Sequence, residues 1–126
     1  MKYNGDGSFG WHTAVKGYFD EEFNAIEATD DGYVAVGSSC SSNRDLKAVG
    51  NRGGSDALVV TFSNGGSLKS IQSYGGSRDD SFGGVCVLSD GQIIACGSTY
   101  SDNGDLIGSK YLSSGSASMG MIARFK

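Results

Sequence analysis

The residues best suited to chemistry in this chain lie in the stretch Asp102-Asn103-Gly104-Asp105-Leu106. Asp102, Asn103 and Asp105 offer clustered oxygen ligands of the kind Ca²⁺ takes. Their spacing departs from the EF-hand loop. A matching stretch, Ser42-Asn43-Arg44-Asp45-Leu46, replaces Asp102 by serine and Gly104 by arginine. An Asx turn that closes a loop accounts for the same residue types without a metal, and is the reading the residues favour. Two acidic groups, Asp20-Glu21-Glu22 and Asp79-Asp80, have the composition of a glycosidase carboxylate pair. They recur at equivalent places in the chain, which points to strand entry or a turn instead. His12 is the only histidine. A lone imidazole with no oriented partner makes neither a metal site nor a convincing general base. Glycine pairs here precede polar turns and lack the lysine and hydroxyl of a phosphate-binding loop. No catalytic residue, cofactor-binding residue or cofactor is therefore expected.

Aromatic side chains are the remaining candidates. Tyr100 and Tyr111 lie in or beside long polar connections, where a ring could stack on a sugar at a rim. Trp11 sits in an apolar run and is expected to pack between structural units, with sugar stacking as its lesser role. Cys40, Cys86 and Cys96 fit no metal spacing. They read as small buried thiols, with a Cys86–Cys96 cross-strand disulfide as the alternative.

The elements that must position these residues come from a repeat. Asp30 to Ser39 reads DDGYVAVGSS and Ser89 to Thr99 reads SDGQIIACGST. Phe23 matches Phe82 and Ile26 matches Val85; Gly37 then matches Gly97 one residue later, so the intervening turn has gained a residue. Further on, Ser55–Phe62 matches Ser118–Phe125, and Lys2–Gly17 overlays Thr61–Gly76. Tyr3, Phe62 and Phe125 are thus three occurrences of one position, and repeats span about 3–62 and 62–125 of a single domain, 1–126.

Each period holds four strand-like runs, rich in β-branched and aromatic residues. They are Phe9–Val15, Phe23–Ala28, Tyr33–Val36 and Ala57–Phe62, then Leu68–Tyr74, Phe82–Leu88, Ile93–Cys96 and Met121–Phe125. Asp31-Gly32 and Asp90-Gly91 mark hairpins between the second and third runs. The 21 glycines, far above the usual share, read as turns and tight strand ends. No segment has a helical period.

Four antiparallel strands repeated at this spacing are the sequence form of a propeller blade. The stretch YGGSRDDSFGGVCVLSDGQIIACGSTYSDNGDL, with SDALVVTFSNGG, resembles a family of bacterial β-propeller repeats, kelch-like in outline. The shared features are a GG-x-x-x-D turn, a DGG-[YF]-[IV] hairpin, an [ND]GD loop and a DA-[WL] strand. The second unit departs at SMGMIARF, and Ser70 stands where the first unit has Trp11. The resemblance implies an all-β fold of two four-stranded antiparallel blades, a partial propeller. It also implies a secreted or cell-surface location and a non-catalytic role in adhesion or in binding a protein or ligand. A carbohydrate-binding module is the first alternative and part of a polysaccharide-active enzyme the second.

Net charge is −4 with ten basic residues and no basic cluster, which argues against nucleic acid. No run approaches the roughly 20 apolar residues of a membrane span, and the chain does not open with the pattern of a secretion signal. Two blades leave apolar sheet faces open, so the expected partners are further blades of a longer chain or a head-to-tail homo-oligomer, with a glycan or surface protein as ligand. Strand alternation is read as placing Val34, Val36, Val59, Ile93 and Ile94 on those open faces.

Overall fold

A computed structural model of the chain describes residues 1–107 and 117–125. Strand β1 (Lys2–Tyr3) pairs with β2 (Phe9–Trp11) in a small hairpin. Strands β3 (Glu21–Thr29), β4 (Gly32–Ser39), β5 (Asp56–Ser63) and β6 (Leu68–Tyr74) form a four-stranded sheet in chain order. Strands β7 (Asp80–Val87), β8 (Ile93–Thr99) and β9 (Met119–Phe125) form a three-stranded sheet. Every pairing is antiparallel. Single 3-10 turns occur at Arg44–Leu46 and Gly104–Leu106. Among the described residues there is no α-helix, and none long and apolar enough to cross a membrane.

The sheets straddle the sequence repeat. Leu68–Tyr74, the first run of the second period, hydrogen-bonds to β5, the last run of the first. The second sheet holds three strands among the described residues, not the expected four. The run Phe9–Val15 is a strand only to Trp11, because the chain then leaves β1, and the Thr13 hydroxyl donates to the Gly66 carbonyl.

Three turns share one geometry. Gly7, Gly66 and Gly91 each donate to the carbonyl three residues back, at 2.9 Å, and each has φ between 82° and 84°. That left-handed conformation is open to glycine at little cost. The β3–β4 turn is shorter: Thr29 pairs with Gly32, leaving Asp30-Asp31 as the loop. Its counterpart loop is Ser89-Asp90-Gly91, between Leu88 and Gln92. This is the residue gained between the two repeats.

Strands β4 and β5 are buried on both faces. Val34, Val36, Ala57 and Val59 pack against Phe82, Ile93 and Ala95 of the second sheet. On the other face Ala35, Leu58, Val60 and Phe62 are covered by Val15, Leu46 and Val49. The expectation that Val34, Val36, Val59 and Ile93 lie open is therefore corrected: they line the interface between the sheets. The period-two signal could not say which alternate set faces inward, since both sets are apolar. The cysteines are corrected too. All three are free and exposed. Cys86 stands opposite Ile94 and Cys96 opposite Ile122, on the face of the second sheet turned away from the first.

Candidate functional site

The loop carboxylates are bound into one scheme of hydrogen bonds that appears twice. Asp45 Oδ2 accepts from the Lys16 amide at 2.8 Å, and the Asp45 amide donates back to the Lys16 carbonyl at 3.2 Å. Asp105 Oδ2 accepts from the Gly75 amide at 3.2 Å, and the Asp105 amide donates to the Gly75 carbonyl at 3.0 Å. Glu21 accepts from the Gly17 amide and the Ser39 hydroxyl. Asp80, fully buried, accepts from the Gly76 amide and the hydroxyls of Thr99 and Ser101. Ser41 and Ser101 in turn accept from the Phe19 and Arg78 amides. These side chains replace the missing ladder partners of a strand-entry turn.

The candidate metal ligands belong to this scheme. Asn103 Oδ1 accepts from the Ser77 amide at 2.8 Å. The Arg52 guanidinium lies 3.1 Å from Asp105 Oδ2, where a cation on that carboxylate would sit. Asp102 is exposed. Among the described residues no three His, Cys, Asp or Glu side chains gather as metal ligands. Of the proposed acid pairs, Glu22 accepts from the Ser38 hydroxyl and Asp79 from the Ser55 amide, so these too hold loops and strand ends. His12 is exposed, 5.8 Å from the Phe9 ring.

Arg52 and Asp56 form a cluster that the sequence did not flag. Asp56 is 1% exposed; its Oδ2 takes the Arg52 amide at 3.1 Å and the guanidinium at 3.0 Å. Its Oδ1 is buried without a hydrogen-bond partner. Burial pushes this carboxyl above its ordinary range; the Arg52 bonds oppose the shift and the Asp80 charge adds to it. An acid opening an apolar run reads as solvated, and only the Gly75 turn beside it reveals otherwise.

A hollow of about 510 Å³ lies on the outer face of the first sheet. Tyr3, Trp11, Phe23, Ile26, Tyr33 and Phe62 line it. Trp11 meets Tyr33 edge-on at 5.7 Å between ring centres, and Phe23 meets Phe62 at 6.2 Å. Lys2 Nζ lies 5.7 Å from the centre of the Tyr33 ring. The Trp11 indole packs on Gly66 and donates to the Asn64 carbonyl at 3.2 Å, which ties the amino-terminal hairpin to the β5–β6 turn. Ile26 remains 61% exposed at the hollow's edge. Comparison with protein-family models, curated proteins and solved structures returns no match.

A second apolar surface lies on the far side of the three-stranded sheet. Cys86, Ile94, Cys96 and Ile122 share that face by strand alternation and register, and Ile122 is 79% exposed. Of the rim tyrosines, Tyr100 is 39% exposed, its amide held by the Asp79 carbonyl. Tyr111 lies outside the described residues. The structure thus brings Trp11 into the hollow, leaves Tyr100 at the surface, and fixes Asn103 and Asp105 in a loop clamp.

Proposed function

We propose that the chain is a non-catalytic interaction module that binds apolar protein surface in the aromatic hollow of its first sheet. In this reading the two sheets are consecutive propeller-type units of a secreted or cell-surface bacterial protein. The observation that carries it is the hollow itself: lined by four aromatic rings beyond Trp11 and by Ile26, with Lys2, Thr13 and Asn24 among the few polar residues. An exposed concavity of this composition fits an interaction site better than a solvated surface. Supporting it, the carboxylates that would serve an enzyme are engaged by backbone amides and by Arg52. The propeller reading draws support from registers that coincide between the units: Val36 pairs with Val59 as Cys96 pairs with Ile122, and Tyr33 with Phe62 as Ile93 with Phe125.

Trp11 is the only tryptophan, so its emission reports on the hollow directly. Anilinonaphthalene sulfonate, an apolar anionic fluorophore, should bind there and quench Trp11 emission by energy transfer. Ile26→Asp, at an exposed position, should abolish the quenching and leave the β circular dichroism spectrum unchanged. Quenching that survives Ile26→Asp, or no binding by the wild type, defeats the reading. The carbohydrate alternative rests on Tyr100; a glycan array that gives signal lost in Tyr100→Ala would favour it instead.

A further inference from the structure

The interface inside the chain is asymmetric. The first sheet contributes the face of Val34, Val36 and Val59, and the second contributes the face of Phe82, Val85, Ile93 and Phe125. The repeat carries each face to an equivalent on the other sheet. Val34, Val36 and Val59 correspond to Ile94, Cys96 and Ile122. Those residues form the outer face of the second sheet, where Cys96 and Ile122 are exposed. Phe82, Val85, Ile93 and Phe125 correspond to Phe23, Ile26, Tyr33 and Phe62. Those four line the hollow. Each half of an interface already formed within the chain therefore recurs at the opposite end, open at Ile122 on the second sheet and at Phe23 and Ile26 on the first, where Phe62 is buried and Trp11 packs on Tyr33.

We propose that the hollow receives the outer face of the three-stranded sheet of a second copy of this chain, head to tail. The inference rests on the reading of the hollow as a docking site and names its partner. The edges of the two sheets differ as well. Strand β6 covers the edge of β5 in the first sheet, whereas β9, the equivalent of β5, pairs only with β8 among the described residues. Strand β2 occupies the same place in its repeat as β6. It borders the hollow through Trp11 but is already paired with β1, so the β9 edge of a docked copy would gain β2 as a neighbour only by displacing β1. A like-on-like dimer would instead bury Ile122 against Ile122, with no precedent inside the chain. Head-to-tail contact is heterologous and extends until the rotation closes.

Two single substitutions at exposed positions test this on the full chain. Ile122→Lys disables the outer face of the second sheet, and Ile26→Asp disables the hollow. Light scattering over a dilution series should show a discrete oligomer for the wild type and monomers for either variant alone, all with the same circular dichroism spectrum. Mixed, the two variants should form a one-to-one dimer, since each retains the half the other has lost. In that dimer a disulfide reagent should find Cys96 of the Ile26→Asp copy protected at least tenfold, while Cys40 stays reactive. A wild-type monomer at all concentrations, self-association of either variant, unspecific aggregation, or failure of the mixture to pair overturns the proposal. Should pairing fail while the fluorophore still quenches Trp11, the hollow remains a docking site for another partner. Should both fail, the reading of the hollow falls with it.

Discussion

Replacing Asp105 by alanine separates a loop clamp from a metal site. The substitution removes the acceptor of the Gly75 amide, at 3.2 Å, and the partner of Arg52, at 3.1 Å. A hydrogen bond to a charged acceptor contributes about 1.5–3 kcal/mol in a dry site. Here Asp105 and Arg52 are each more than a third exposed, and exposed ion pairs contribute only about 0–1 kcal/mol. The expected loss is therefore about 1–2 kcal/mol in all, a fall in melting temperature of roughly 3–8 °C for a chain of this size. Urea unfolding followed by circular dichroism measures it, once with Ca²⁺ and once with EDTA. The loss should be the same in both. A double-mutant cycle with Arg52→Ala should return a coupling of about 0.5–1 kcal/mol, since the residues are in contact. The reasoning is refuted if EDTA lowers wild-type stability and Asp105→Ala erases that dependence. It is equally refuted if Asp105→Ala costs nothing.

Further substitutions probe the same framework. Arg44 has φ 51° where its repeat partner Gly104 has φ 64°. Left-handed backbone costs a residue with a Cβ roughly 1–2 kcal/mol. The Arg44 guanidinium recovers part of this 4.6 Å from the centre of the Tyr18 ring. Arg44→Gly should therefore raise stability by up to about 1 kcal/mol in thermal melts, once the lost cation–π contact is set against the relieved strain. In Gly75→Ala the new methyl group would meet Asp80 Oδ2 at 2.6 Å and Asp56 Oδ1 at 2.7 Å, both buried; urea titration should show a loss of about 1–3 kcal/mol from overpacking. Burial holds the Asp56 carboxyl above its ordinary value of 3.8, so the folded chain takes up this proton at higher pH than the unfolded chain. That uptake contributes stability that is full below pH 3.8 and is lost as pH rises through the folded value. Asp56→Asn removes it, so the urea midpoint of the variant relative to the wild type should climb as pH rises from 3.8 to neutrality.

The strands and turns were legible because their signals are local. Asp31-Gly32 and Asp90-Gly91 mark two hairpins, and the step from Phe23–Phe82 spacing to Gly37–Gly97 spacing locates the extra turn residue. The inward faces were not legible. Tyr33-Val34-Ala35-Val36 and Ala57-Leu58-Val59-Val60 are apolar at every position, as strands covered on both sides must be, so alternation carries no sign. The role of Asp105 was hidden for another reason. Its carboxylate suits a cation and an amide equally, and the deciding partner, Gly75, lies 30 residues away in sequence. The strand-entry role of Asp80 is legible from its recurrence, but nothing in the neighbours of Asp80 or Asp56 shows that three hydroxyl and amide donors, or an arginine, converge on them.

The division of labour between loops and faces bears on where recognition resides. In most β folds the loops vary and bind while the faces pack. Here the two large entry turns are cross-linked to the 3-10 turns by the same side-chain bonds in both units, through Asp45 to Lys16 and Asp105 to Gly75. A loop so tied has few donors and acceptors left for a ligand, and its shape is fixed by the strands it serves. The faces are in the opposite condition. Each sheet has one face sealed inside the chain. The first keeps a hollow at the margin of the other, and the second leaves the other open with Ile122 exposed. Burying an isoleucine side chain contributes roughly 1.5–3 kcal/mol, so in the proposed association Ile26, Ile94 and Ile122 together would contribute more than the exposed ion pairs of the loops. On the proposed reading, affinity resides in the sheet faces, and the loops hold those faces in register.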